Sequence, residues 1–180
     1  IRLMRDRVAG FWTAIFAACL ALCAVPAVAE DATIRGFVEL DRPLEYGEYF
    51  WDEKDVPAGE VIIVADLDAD QMYVYRGGYE IGRSTFIQGS LAKSTPVGVY
   101  PILEKDADHY SSIYDNAPMP HMLRLTWDGI AIHGSAVISD EFATRGCIGL
   151  PRPFAAILFQ HVHKGTKVIV TRRWKPDVYW

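Results

Sequence analysis

Between Val61 and Thr171 the apolar residues come in short β-branched or aromatic runs, each closed by a turn signal, and only one stretch has a helical period. Val61 to Ala65 reads as a strand, Asp66 to Asp70 as a turn and Met72 to Tyr75 as the returning strand of a hairpin. Gly77-Gly78 turns the chain into a third strand over Tyr79 to Gln88, and Thr95-Pro96-Val97-Gly98 leads into a fourth over Val99 to Leu103. Met122 to Trp127 and Ile130 to His133 form a second hairpin at Asp128-Gly129. Pro151 to Val162 is helical, with Phe154, Ile157, Leu158 and Val162 on one face and Pro151 or Pro153 in the first turn. Gly165 stops it, and Lys167 to Thr171 is the last strand. Such a chain is mainly β with one main helix, in the α+β class, and it holds one core.

Two segments break the pattern. Residues 30–59 mix charges, Pro43, Gly47, Pro57 and aromatics, and read as an irregular lead-in that wraps the domain. From Glu104 to Pro120 the periodicity lapses into a long polar and aromatic loop containing His109, and long loops in compact domains serve as lids or binding loops.

The first 29 residues have the three-part layout of a secretory signal. Arg2, Arg5 and Arg7 precede an uncharged run from Val8, which ends Pro26-Ala27-Val28-Ala29. Cleavage is expected after Ala29, which places the rest of the chain in the periplasm or cell envelope. Contact with the membrane is expected only if the segment stays uncleaved as an anchor. Losing three Arg and one Asp from the 18 basic and 23 acidic side chains leaves 15 and 22, a net charge of about −7 that argues against a nucleic-acid partner.

Cleavage would also remove Cys19 and Cys23, so the exported chain carries one thiol, Cys147, and no disulfide. A free cysteine is often just a small buried hydrophobe. Cys147, however, follows Gly146 in a glycine-rich turn, and His133 stands fourteen residues before it. The thiolate is the reactive form, and His133 is the base positioned to populate it. A helix starting directly after the turn would lower the thiol pKa further, and backbone N–H groups of the turn would face a developing oxyanion.

These residues carry a resemblance. His133-Gly134, Thr144-x-Gly146-Cys147-Ile148, Thr95-Pro96-Val97-Gly98 and the Met72-Tyr73-Val74-Tyr75 opening, in this order between Val61 and Arg172, resemble the L,D-transpeptidase catalytic domain of YkuD type. The resemblance implies a β-sandwich with a lid loop over a cleft, in a catalytic domain spanning 60–173 followed by a tail over 174–180. It implies Cys147 as nucleophile and His133 as general base. The Gly134 carbonyl would orient the imidazole, and the backbone N–H groups of Gly146 and Cys147 would hold the oxyanion. Thr144, Arg145, Ser135 and Arg152 become the expected substrate-binding side chains.

The implied substrates are peptidoglycan stem peptides, acylated onto Cys147 with loss of D-Ala and passed to an amine. An envelope protein is one conceivable acceptor, and water would make the enzyme an L,D-carboxypeptidase. No metal or organic cofactor is required by a thiol mechanism. Members often read Ser-His-Gly-Cys-Ile/Val-Arg-Leu, whereas this chain has Arg145 in place of the histidine and Gly149 in place of the arginine. These departures leave open a non-catalytic domain that binds peptidoglycan. Papain-like enzymes place Cys before His, the reverse of this chain. His161 and His163, at the end of the helix, are expected to cap it rather than bind metal.

Overall fold

The computed structural model describes residues 34–175; the expected export segment, 1–29, lies outside the described residues. Ten strands and one helix follow in chain order: β1 (Tyr49–Trp51), β2 (Val61–Asp66), β3 (Gln71–Arg76), β4 (Tyr79–Thr85), β5 (Gly98–Pro101), β6 (Glu104–Tyr110), β7 (Pro118–Arg124), β8 (Ala131–Ser135), β9 (Ile148–Pro151), α1 (Arg152–His161) and β10 (Lys167–Thr171). The first sheet has the order β1-β4-β3-β2-β10-β5 and the second β6-β7-β8-β9. All neighbours are antiparallel except β2 with β10 and β8 with β9.

Strand β2 explains its own sequence. Val61, Ile63 and Ala65 enter the main core between the sheets and α1, while Ile62 and Val64 enter a second cluster on the opposite face. A strand buried on both faces reads as a continuous apolar run, without alternation. The second face is covered by the ends of the domain, Ile34 and Trp174, packed against Tyr73, Tyr75 and Ile169. Asp66, buried, holds that end down: Oδ1 accepts the Arg173 N–H at 2.9 Å and Oδ2 the Trp174 N–H at 2.7 Å. The alternating acids at 66–70 therefore include a chain anchor.

Three elements differ from expectation. The segment expected as a lid loop is a β-hairpin, β6–β7, paired from Glu104↔Arg124 to Tyr110↔Pro118 and irregular only across 111–117. Most of β6 is partly or fully exposed, so no apolar alternation marks it, and Pro118 and Pro120 disguise β7. The lead-in contributes β1, an edge strand on β4. A strand of four residues, β9, not expected from the sequence, separates the cysteine turn from α1, which starts at Arg152, one residue past the expected Pro151.

The hairpin is tied to α1 by Lys105, whose ammonium donates to the carbonyls of Phe159 (2.6 Å) and Val162 (2.5 Å) at the helix C-terminus. A cation there satisfies orphan carbonyls and suits the helix dipole. His161 turns back on the helix, Nδ1 donating to the Ile157 carbonyl at 2.8 Å.

Candidate active site

Parallel pairing of β8 with β9 sets Ile132 beside Ile148 and His133 beside Gly149. Ile132, Ile148 and Leu150 all point into the main core. Side chains alternate along a strand, so Ala131 and His133 face away from that core, and so does Cys147 when the register is continued one residue back. The strand pair thus sets the imidazole and the thiol on one face.

The imidazole has a defined orientation. His133 Nδ1 lies 3.0 Å from the Gly134 carbonyl oxygen, which can only accept, so Nδ1 carries the proton and Nε2 holds the lone pair. Burial pushes the His133 pKa down, against the Gly134 carbonyl, with His109 of the hairpin adding to the depression. The ring is therefore neutral at neutral pH. Space at Gly134 is tight, since a Cβ would stand 3.2 Å from Pro120 Cγ and 3.3 Å from Arg152 Cγ.

The thiol rests protonated. Burial pushes the Cys147 pKa up, opposed by the Ala131 N–H and by the charges of Lys93 and Arg124, and Sγ–H donates to the Gly129 carbonyl at 3.5 Å. A thiol lowered to the thiolate by a helix N-terminus, the expectation from sequence, is not what forms. The field of a helix end falls off within a turn, and β9 stands between Cys147 and α1.

The turn is built on glycine. Gly146 has φ of 108°, in the left-handed region, and a Cβ on it would lie 2.8 Å from Ile130 Cδ1. Gly89 packs against it so closely that a Cβ there would stand 2.8 Å from Gly146 Cα and 2.2 Å from the Lys93 carbonyl oxygen. Thr95 Oγ1 accepts the Gly89 N–H at 2.9 Å, and Thr144 exchanges backbone bonds with Gln88 and Ser90 on the same ladder. Sequence reasoning noted Thr95 only as a lead into a strand; Gly89, closing a strand-like run, was the signal for the close approach.

The remaining expected side chains divide. Thr144 Oγ1 donates to the Cys147 carbonyl at 2.5 Å and accepts the Gly146 N–H at 3.2 Å, so it shapes the turn and occupies one of the two N–H groups expected to face the oxyanion. Ser135 Oγ donates to the Val137 carbonyl at 2.8 Å. Arg152 is exposed, its stem against Gly134. Exposed Arg145 lies over the ring of Tyr114, Cζ 4.6 Å from the centroid, at the tip of the hairpin. Lys93 and Tyr114, not singled out in the sequence, join the rim.

Gly149 is buried where family members often carry arginine, and a Cβ there would be 2.8 Å from Ile87 Cγ1. Ile87 occupies that space because its backbone exchanges two hydrogen bonds of 2.9 Å with Gly149, joining the end of β4 to β9. A cavity of about 310 Å³, lined by Tyr46, Asp70, Gln88, Asp140 and Phe142 among others, shares the 86–90 segment but is lined by neither Cys147 nor His133. The candidate site is placed on the thiol and imidazole, a nucleophile and a base on one sheet face. Among the described residues no three His, Cys, Asp or Glu side chains are grouped to hold a metal ion.

A search of curated proteins returned no match. Among solved structures, the chain is similar to an L,D-transpeptidase from Mycobacterium smegmatis, with 26% identity and a TM-score of 0.56 over 62% of this chain and 58% of that one. An L,D-transpeptidase from Mycobacterium tuberculosis H37Rv gives 26% and 0.57 over 61% and 57%. A mutant L,D-transpeptidase of Enterococcus faecium gives 25% and 0.56 over 63% and 50%. The match thus spans less than two thirds of each of these relatives. The family model of the L,D-transpeptidase catalytic domain, YkuD, matches residues 60–170, the stretch that holds every strand but β1 and the last residue of β10, with the imidazole and the thiol, and the chain belongs to that family.

Proposed function

We propose that this chain is a cysteine-dependent L,D-transpeptidase acting on peptidoglycan stem peptides. The observation that carries the reading is the imidazole clamped by Gly134 in the tautomer with Nε2 free, on the same sheet face as the only thiol outside the expected signal segment. Family membership supplies the reaction class.

With both groups neutral at rest, deprotonation accompanies attack. His133 Nε2 takes the Sγ proton as sulfur bonds to the carbonyl carbon between diaminopimelate and the terminal D-Ala. The oxyanion is held by the Cys147 N–H, since that of Gly146 is engaged by Thr144. The C–N bond then breaks, His133 returns the proton to the departing amine, and D-Ala leaves a thioester on Cys147. A second amine gives up a proton to His133, attacks the thioester and regenerates the thiol. A stem-peptide amine gives a cross-link, a lysine of an envelope protein gives a tether, and water gives the carboxypeptidase outcome.

The chain is proposed to act outside the cytoplasm, after removal of residues 1–29. Purified protein incubated with stem tetrapeptide should release D-Ala and form a cross-linked dimer detectable by mass. D-Ala release with tripeptide as the only other product would favour the carboxypeptidase. Absence of any D-Ala release, with no mass adduct from a carbapenem, would leave a binding domain.

A further inference from the structure

In this acidic chain the arginines are mostly neutralised: Arg42, Arg76, Arg83, Arg124 and Arg172 each meet a carboxylate. Two cations at the rim of the thiol do not. Lys93 and Arg145 have no carboxylate partner among the described residues, and what they share instead is one side chain, Tyr114. Lys93 Nζ donates to the Tyr114 hydroxyl oxygen at 2.5 Å and lies 5.2 Å from the ring centroid. Those two distances put the ammonium beyond the oxygen near the ring plane, so it is bound to the hydroxyl and not stacked on the face. Arg145 covers the ring itself.

Both cations are held to the cysteine turn by the backbone. Arg145 immediately precedes Gly146, and the Lys93 carbonyl packs beside Gly89, where Gly89 meets Gly146. The Lys93 charge is felt at Cys147. A neutral hydroxyl is a weak acceptor for an ammonium, and a carboxylate in the same place would make charge-assisted bonds to both cations. The carboxylate nearest a scissile bond at Cys147 is the one on the departing residue.

We propose that Lys93 and Arg145 form the subsite for the carboxylate adjoining the scissile bond, and that in the free enzyme the Tyr114 hydroxyl occupies it. The assignment of that carboxylate to a stem peptide rests on the function proposed above; the anion subsite does not. Substrate entry exchanges the hydroxyl for the carboxylate and lifts the hairpin tip off the turn. Lys93 thereby selects a free C-terminal acid over an amide.

The test compares alkylation of Cys147 by anionic iodoacetate and neutral iodoacetamide. Changes in thiol reactivity affect both reagents, so the ratio of the two rates reports the subsite. Lys93→Gln should lower the iodoacetate-to-iodoacetamide ratio by about threefold to fivefold, as for a partly exposed charge pair, and Lys93→Gln with Arg145→Gln by about tenfold. Tyr114→Phe, which removes the competing oxygen, should raise it. An unchanged ratio in the double variant overturns the subsite, and so does a thiol that neither reagent reaches; a lower ratio in Tyr114→Phe overturns the role given to the hydroxyl.

A second arm uses stem tetrapeptide and its C-terminal amide. Amidation should raise KM in the wild type and have no further effect in the double variant. If the alkylation ratio shifts as expected but no tetrapeptide is turned over, the anion subsite stands and the stem-peptide reading falls. Turnover with an unmoved ratio sinks the subsite alone.

Discussion

A resting pair that is neutral on both sides makes a specific demand on pH. The Cys147 pKa is raised, so alkylation by iodoacetamide should speed up through a midpoint above the free thiol value of about 8.5. A midpoint below it would mean a standing thiolate–imidazolium pair. The His133 pKa is lowered, so the base stays unprotonated at neutral pH, and turnover should fall only as pH drops below the ordinary imidazole value of about 6.5. Cys147→Ala should abolish D-Ala release without loss of folding, and His133→Ala should slow it by about 10²- to 10⁴-fold, the range for a general base. An alanine variant at 147 that still released D-Ala at the wild-type rate would end the mechanism. Gly149, beside His133 in the strand register, gives a test that is read in stability and not in turnover. Restoring the family's arginine as Gly149→Arg drives a side chain into Ile87 Cγ1, at 2.8 Å from the new Cβ, and should cost about 1–3 kcal/mol by urea denaturation. Ile87→Ala in the same chain should recover part of that cost, because the two side chains contend for one space; equal losses with and without Ile87 would place the strain elsewhere.

The lead-in is joined to the domain by an ion pair between buried Glu80 and half-buried Arg83 that its irregular sequence does not advertise. Glu80 on β4 takes Arg83 Nε on Oε1 at 2.7 Å and Arg83 Nη2 on Oε2 at 2.8 Å, and Oε2 also accepts the Val38 N–H. Glu80→Ala leaves the half-buried Arg83 guanidinium without its carboxylate and should cost about 1.5–3 kcal/mol, read as a lower midpoint in urea. A loss under 1 kcal/mol would show that the guanidinium finds water instead. What could be read from sequence follows the same physics. Elements with a buried face wrote themselves into the chain: β2, β3, β8, β10 and α1 appear as apolar runs or a helical stripe, and β4 follows from the Gly77-Gly78 turn before it. Elements whose buried residues are few or interrupted by polar residues, glycine and proline did not. Strand β1 is short and at an edge, β6–β7 shows polar faces and prolines, and β9 is four residues between a glycine turn and Pro151. In the site, His133, Gly134 and Cys147 were legible because their spacing is local to one strand pair. Lys93 and Tyr114 were not, since they come from separate loops that meet Arg145 only in the folded chain.

Both sheets, the anchored ends and the site lie within one unit of the chain, spanning 32–180, and its charge and thiol content depend on where the mature chain begins. The proposed cut after Ala29 removes three arginines and shifts the balance toward acid, which makes the uncompensated cations at the thiol rim the more distinct as an address for anions. It also removes Cys19 and Cys23. Two of the three cysteines in the sequence would then never coexist with Cys147 in the folded, exported protein, and no disulfide could form to trap it. The outcome is countable. Protein recovered from the envelope fraction of a bacterium expressing the whole chain, unfolded in guanidinium and titrated with a thiol reagent, should give one thiol per chain and an N-terminus at Glu30. Three thiols and an N-terminus before Val8 would mean that the segment is retained as an anchor. In that case Cys147 would work within reach of the membrane surface, in a chain with two further thiols available to it for oxidation.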